Sequence, residues 1–156
     1  DLHEKAASIL NRVGANQKIN PEHSVKDSFS ELIGGALEVI SAERGKISCL
    51  LHVKTPILNA YRTLHGGAVG SVAERIAFAC ARTLPGNDDK HLVLGELSIS
   101  YLSAASFNDE VIVDSHVVRS GRNVAVVALS FKLKPTNKLV YVARVTFYNT
   151  TPISSL

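Results

Sequence analysis

Hydrophobic residues recur along this chain with two periods, and the change from one to the other divides it. Leu2, Ala6, Ile9, Leu10 and Val13 fall on one stripe at helical spacing, with Gly14 after them, so a helix is expected over residues 2–13. Asn20-Pro21 marks a break, and residues 27–32 read as a short second helix closed by Gly34-Gly35. From Ala36 the period drops to two. Residues 36–43 and 46–54 flank Arg44-Gly45 as arms of a tight hairpin, and Ile47, Cys49, Leu51 and Val53 alternate with Ser48, Leu50, His52 and Lys54. A long helix is expected over residues 66–84, bounded by Pro85-Gly86. Four more strand-like runs follow at 92–102, 110–119, 123–134 and 139–148, jointed by Ser120-Gly121-Arg122 and Pro135-Thr136-Asn137. In the third of these runs Ala125, Val127, Leu129, Phe131 and Leu133 share a face, with Lys132 and Lys134 opposite. Two strands, one long helix and four strands pack naturally as an antiparallel sheet curved around one buried helix, an α+β arrangement. Residues 1–35 then form a helical N-terminal extension, and residues 36–150 a single domain.

Composition narrows the class without naming a chemistry. The chain has 156 residues, 46% hydrophobic and 20% charged, enough for one packed core and unlike a disordered or low-complexity chain. No apolar run approaches the ~18 residues of a membrane span. Cys49 and Cys80 both sit in apolar segments, which is neither a disulfide framework nor a metal-ligand pattern and suits a reducing compartment. Charge is asymmetric. The net +3 divides into −3 over residues 1–114 and +6 over residues 115–156, a stretch that contains Arg119, Arg122, Lys132, Lys134, Lys138 and Arg144 and no acidic residue. Such a basic third suits an anionic partner or a solvated surface. Nucleic acid is disfavoured, because helix-turn-helix, zinc and aromatic RNA-binding motifs are missing.

The candidate chemistry lies at the entrance of the long helix. Ala68, Val69, Val72, Ala73, Ile76, Ala77, Phe78, Ala79, Cys80 and Ala81 make it apolar nearly all round, so burial on most sides is expected. Glu74 interrupts this surface. A carboxylate there either pairs with a cation such as Arg75 or stands at a cleft as a catalytic group. Leu64-His65-Gly66-Gly67 places two glycines where the first helical amides lack partners. Without side chains those amides admit a ligand oxygen, and the helix dipole adds positive potential. His65 reads either as a base or as a hydrogen-bonding partner of the turn, and Asn59 supplies an amide able to hold a water or a carbonyl.

Taken together, the run Asn59-Ala60-Tyr61-Arg62-Thr63-Leu64-His65-Gly66-Gly67, Glu74, and the later Leu97-Ser98-Ile99-Ser100-Tyr101-Leu102 resemble the hot-dog thioesterases. Within that family the pattern is similar to the acyl-coenzyme A thioesterase 13 (thioesterase superfamily member 2) and phenylacetate-pathway types, from about Ala36 to Tyr148. The resemblance implies a hot-dog fold and hydrolysis of an acyl-CoA to a free acid and CoA, with no separate cofactor or metal. It makes Asn59, Gly66 and Glu74 the catalytic set, with His65 and Gly67 in support. Gly66 N–H would polarise the thioester carbonyl, Asn59 would position the thioester or the water, and Glu74 would act as base or nucleophile. Coenzyme A contacts are implied at Glu96, on the loop Tyr101, Leu102, Ser103, Ala104, Ala105 and Ser106, and on the turn Arg119, Ser120, Gly121, Arg122, Asn123 and Val124. Leu94 departs from the pattern, because the thioesterase 13 type carries a functional serine there.

Spacing adds an independent expectation. Gly66 and Glu74 are eight residues apart, about 12 Å along a helix, too far to meet at one thioester carbon within one chain. Two antiparallel helices across a twofold axis would bring Glu74 of one copy to Gly66 of the other. The resemblance likewise implies dimers, paired into tetramers. Two other functions compete: a non-catalytic acyl-CoA-binding module, which Leu94 favours, and a hot-dog hydratase or dehydratase, which would need a His–acid pair. The chain begins at Asp1 rather than Met, so an N-terminal signal cannot be judged. The closing Ser154-Ser155-Leu156 resembles a peroxisomal Ser-Lys-Leu signal without its basic middle residue, so a cytoplasmic location is expected ahead of peroxisomal import.

Overall fold

The computed structural model describes residues 1–150, so the expectation attached to Ser154-Ser155-Leu156 lies outside the described residues. The chain divides into two compact units, Asp1–Glu31 and Leu32–Leu156. In the first, helix α1 (Leu2–Asn11) starts at Asp1, whose carboxylate accepts the His3 amide at 3.1 Å. It ends two residues earlier than its apolar stripe predicts, in a turn that runs through Gly14 at φ +94°. None of its residues is buried. Asn20 then caps a 3₁₀ turn, Pro21–His23, and α2 (Ser28–Gly34) crosses the boundary between the units.

The second unit holds the six strands and the long helix. Its elements are β1 (Leu37–Glu43), β2 (Lys46–His52), α3 (Gly66–Arg82), β3 (Leu92–Tyr101), β4 (Glu110–Ser120), β5 (Val124–Leu133) and β6 (Leu139–Asn149). The sheet order is β1-β2-β4-β5-β6-β3, with every neighbouring pair antiparallel. After the β1–β2 hairpin, turned at Gly45 with φ +75°, the chain leaves through α3 and returns at the far edge as β3. The helix therefore lies across the inner face of the sheet, as the α+β reading expects.

Period-two patterning explains why that face is dry. Val111 and Val113 of β4, Val127, Leu129 and Phe131 of β5, and Val145 and Phe147 of β6 all join one core with α3. Ala73, Ala77 and Ala81 recur every fourth residue along α3 and are fully buried, so the helix presents a stripe of small side chains to the sheet. Ala77→Leu should overpack this contact and lower stability by about 1–3 kcal/mol, read as an earlier urea midpoint at unchanged slope.

Nine of the 17 residues of α3 are buried, as expected of a helix buried on most sides, but Glu74, Arg75, Phe78 and Ala79 lie on an exposed face, so Glu74 does not lose its hydration within one chain. Sheet contacts take up the opposite stripe, and apolar composition alone cannot show which side of a helix faces the sheet. Among the described residues, β3 pairs only with β6 and leaves its other edge open, with Leu94 and Tyr101 exposed. Also among them, no helix is long and apolar enough to cross a membrane.

Candidate active site

The start of α3 is tied down by the loop before it. Asn59 Oδ1 accepts from the amides of Tyr61 (3.0 Å) and Thr63 (3.1 Å), while Asn59 Nδ2 donates to Thr63 Oγ1 at 2.8 Å. With Arg62 at φ +58° and the Asn59 amide bonded to Thr63 O, this makes a closed loop that the short Asn side chain fastens to itself. Asn59 thus spends its amide on the loop rather than holding it out toward a ligand. The loop delivers His65, whose amide donates to Ile57 O at 2.8 Å, and Leu64, whose amide donates to Ala105 O at 2.8 Å.

His65 is the N-cap of α3. Its Nδ1 accepts the Gly67 amide at 2.9 Å, and its carbonyl accepts the Val69 amide at 3.1 Å. Of the two readings open for His65, the turn-bonding one is what the geometry contains. Gly67 N–H is therefore taken, whereas Gly66 N–H has no partner among the described residues. One residue that the sequence reading grouped only with coenzyme A joins this end of the helix. The Tyr101 hydroxyl donates to Gly66 O at 2.7 Å, with its ring stacked edge-on against Tyr141 at 5.6 Å. Tyr141 in turn accepts the buried Ala105 amide at 3.0 Å. Burial raises its phenol pKa above the ordinary tyrosine value, against the pull of the Ala105 bond. Asn59, His65, Gly66, Gly67 and the loop from Tyr101 to Ser106 thus form one cluster, closed by the Thr63–Ser106 bridge.

Glu74 lies about two turns further along α3, on the exposed face, about 12 Å by helical rise from Gly66. Its flank is apolar. Phe78 stacks edge-on against Phe147 at 5.8 Å, and Phe147 is the cross-strand partner of Leu94, 41% exposed. The desolvation expected of Glu74 is absent from the single chain.

Of the remaining predicted residues, those of the turn after β4 lie toward the other end of α3. Ser120 lies by the helix C-terminus, about 24 Å of helical rise from Gly66. In register, Arg119 pairs with Val126, Val126 with Thr146, and Thr146 with Glu96, so Arg119 and Glu96 share one row across the sheet. Arg119 is on the outer face only because a bulge at Val118 reverses the alternation: Val117 pairs with inward Val127, but Arg119 pairs with outward Val126. Arg119 and Arg122 are exposed, and no carboxylate pairs with either among the described residues. One chain therefore does not bring Arg119, Arg122 and Glu96 together with Gly66.

A hollow of about 650 Å³ lies on the outer face of the sheet, lined by Lys46, Asp114, His116 and Ser130 among others, and includes none of Asn59, Gly66 and Glu74. Cys49 and Cys80 are buried, and burial raises both thiols above the usual value, which suits packing rather than nucleophilic attack.

Residues 61–140 match the family model described as the Thioesterase superfamily. The human protein named acyl-coenzyme A thioesterase 13 is 30% identical over 114 residues, covering 70% of this chain and 77% of that protein. Zebrafish thioesterase superfamily member 2 superposes with a TM-score of 0.71 at 25% identity, over 75% of this chain and 83% of its own. A Streptococcus mutans UA159 protein solved bound to acetyl CoA has the same fold, with a TM-score of 0.67 at 24% identity over 73% of this chain and 88% of its own. An antiparallel sheet wrapped on one long helix, the hot-dog fold of these neighbours, and a family match across half the chain lead to one conclusion: this chain belongs to the thioesterase superfamily.

Proposed function

We propose that the chain hydrolyses acyl-CoA thioesters to a free carboxylic acid and CoA, at sites shared between two copies. The observation that carries this reading is on α3: an unpartnered Gly66 amide at its N-terminus, and an exposed Glu74 two turns on, beside the open edge of β3. Running two such helices antiparallel across a twofold axis covers that edge. It also sets Glu74 of one copy against Gly66 of the other, and the C-terminal end of one α3 beside the N-terminal end of its partner. The basic turn and the glycine cluster, apart within one chain, become neighbours. Resemblance to relatives named acyl-coenzyme A thioesterase supports the substrate class. The catalytic domain is residues 36–150, with residues 1–35 as an extension, and such dimers pair into tetramers.

In this account the Gly66 amide and the dipole of α3 draw the thioester oxygen and stabilise the charge that develops on it. Glu74 takes a proton from water as the water oxygen bonds to the thioester carbon. The C–S bond then breaks, and the proton passes to the departing thiolate, leaving acid and free thiol. Glu74 as direct nucleophile gives the same products through an anhydride that water opens. Asn59 and His65 act by fixing the loop and the cap that aim Gly66 N–H. Arg119 and Arg122 meet the CoA phosphates, with Glu96 and the loop from Tyr101 to Ser106 as further contacts.

A thiol-release assay over aromatic and aliphatic acyl-CoAs tests this: thiol should appear in proportion to enzyme. Acyl-CoA binding without thiol release would replace it by the non-catalytic module, the reading that Leu94 favours. The hydratase reading is weaker still, because His65 Nδ1 is already bonded to Gly67 N–H. A second expectation concerns the basic turn. Arg119→Ala/Arg122→Ala should raise KM several-fold at low salt and flatten its dependence on ionic strength. An unchanged KM at low salt would make these arginines solvated surface.

A further inference from the structure

The turn between β4 and β5 is fastened from outside itself at three points, and one of them is a buried side chain that also reaches the end of α3. The Val118 bulge that turns Arg119 outward also turns Ser120 inward, opposite buried Ala125. There Ser120 Oγ accepts from Asn87 Nδ2 at 3.2 Å. Asn87 is 1% exposed, and its Nδ2 also donates to Ala81 O at 2.8 Å, in the last turn of α3. Arg82 holds the Asn87 carbonyl, donates to Asp88 O at 2.9 Å, and lies over the Phe78 ring at 4.8 Å. Two further side chains grip the same turn: Lys90 Nζ donates to Gly121 O at 2.9 Å and Asn149 Nδ2 to Arg122 O at 3.1 Å.

We infer that Asn87 is a positioning residue for coenzyme A recognition, holding the turn of Arg119 and Arg122 at a fixed place relative to α3. The inference rests on the proposal that these two arginines meet the CoA phosphates. A helix-capping role alone would need one donor, to Ala81 O. The second donor of the same amide goes to Ser120, and so couples the end of the catalytic helix to the turn. A buried amide that donates twice from Nδ2 resists displacement, because freeing the turn leaves a buried N–H unpaired. Recognition of a phosphate by a guanidinium depends on where the planar fork points, so a turn free to shift loses affinity without losing charge.

The test compares an acyl-CoA with the same acyl thioester of pantetheine, which lacks the diphosphate and the nucleotide, using the full chain. Asn87→Ala should raise KM for acyl-CoA by about fivefold, the size of one lost hydrogen bond. Its kcat should stay within about twofold, as should kcat/KM for acyl-pantetheine. Equal losses on both substrates, or a fall in kcat alone, would make Asn87 a merely structural residue and overturn the inference. Arg119→Ala/Arg122→Ala serves as the reference arm. If that pair raises the acyl-CoA KM and Asn87→Ala does not, the positioning role fails while the phosphate reading stands. If the arginine pair leaves KM unmoved, the phosphate reading fails and takes this inference with it. Should Asn87→Ala not fold, Ser120→Ala removes the turn's end of the bond while leaving Ala81 O capped. An unchanged acyl-CoA KM in Ser120→Ala would overturn the proposal equally.

Discussion

Glu74→Ala should lower kcat by about 10²–10⁴-fold while KM stays within a small factor of the parent value. The size follows from the role: a proton acceptor, or a nucleophile, acts in the transition state and contributes little to holding the ground-state thioester. Exposure of Glu74 sharpens the experiment. Among surface positions, truncation typically changes stability by no more than about 0.5 kcal/mol, so the folded protein should persist with nearly the same melting temperature. Glu74→Gln keeps the size and removes the base, and should fall as far as Glu74→Ala. Glu74→Asp shortens the reach by one methylene and should land between the parent and Glu74→Ala. A Glu74→Ala protein with kcat within about threefold of the parent would remove the carboxylate from the mechanism.

Much of the fold was legible because it depends on local patterning. Ile47, Cys49, Leu51 and Val53 alternate in sequence and are all buried. The apolar run from Gly66 gave α3 its start, and its end falls at Arg82 rather than Leu84. Thr83 ends it as C-cap, its Oγ1 accepting the Gly45 amide at 2.7 Å and donating to Cys80 O at 2.7 Å. Period and breaker residues carry that information directly. Strand order is different, because no period states that β3 crosses to the far edge beside β6. For the same reason a helix apolar nearly all round concealed that Phe78 and Ala79 face away from the sheet together with Glu74.

At the site, residue types were readable but their partners were not. Asn59 reads in the sequence as an amide seven residues before the glycine pair. That it closes on Thr63 depends on Arg62 adopting a left-handed backbone, which no neighbouring glycine announces. Tyr101 reached Gly66 because β3 runs antiparallel to α3, a tertiary fact. The resemblance assigns Arg119 and Gly66 to one ligand, yet Gly66 begins α3 and Arg119, on β4, lies toward the far end of that helix, which only the topology shows. Asn87 carried no signal at all: after Pro85-Gly86 it reads as one more turn residue.

The measurement that tests the account most directly is complementation between two inactive chains. Asn59→Ala removes the bonds to Tyr61 N and Thr63 N that hold the loop before Gly66, and so disables the glycine half of a site. Glu74→Ala disables the carboxylate half. Refolded as an equal mixture, random pairing makes about half the dimers mixed. If each site takes Gly66 from one chain and Glu74 from the other, every mixed dimer holds one site with both lesions and one with neither. Thioester hydrolysis should then return to about a quarter of the parent level, for sites that act independently. If each site is built from a single chain, every site keeps a lesion. No recovery, with mixed dimers verified by mass spectrometry, would contradict a site shared across the twofold.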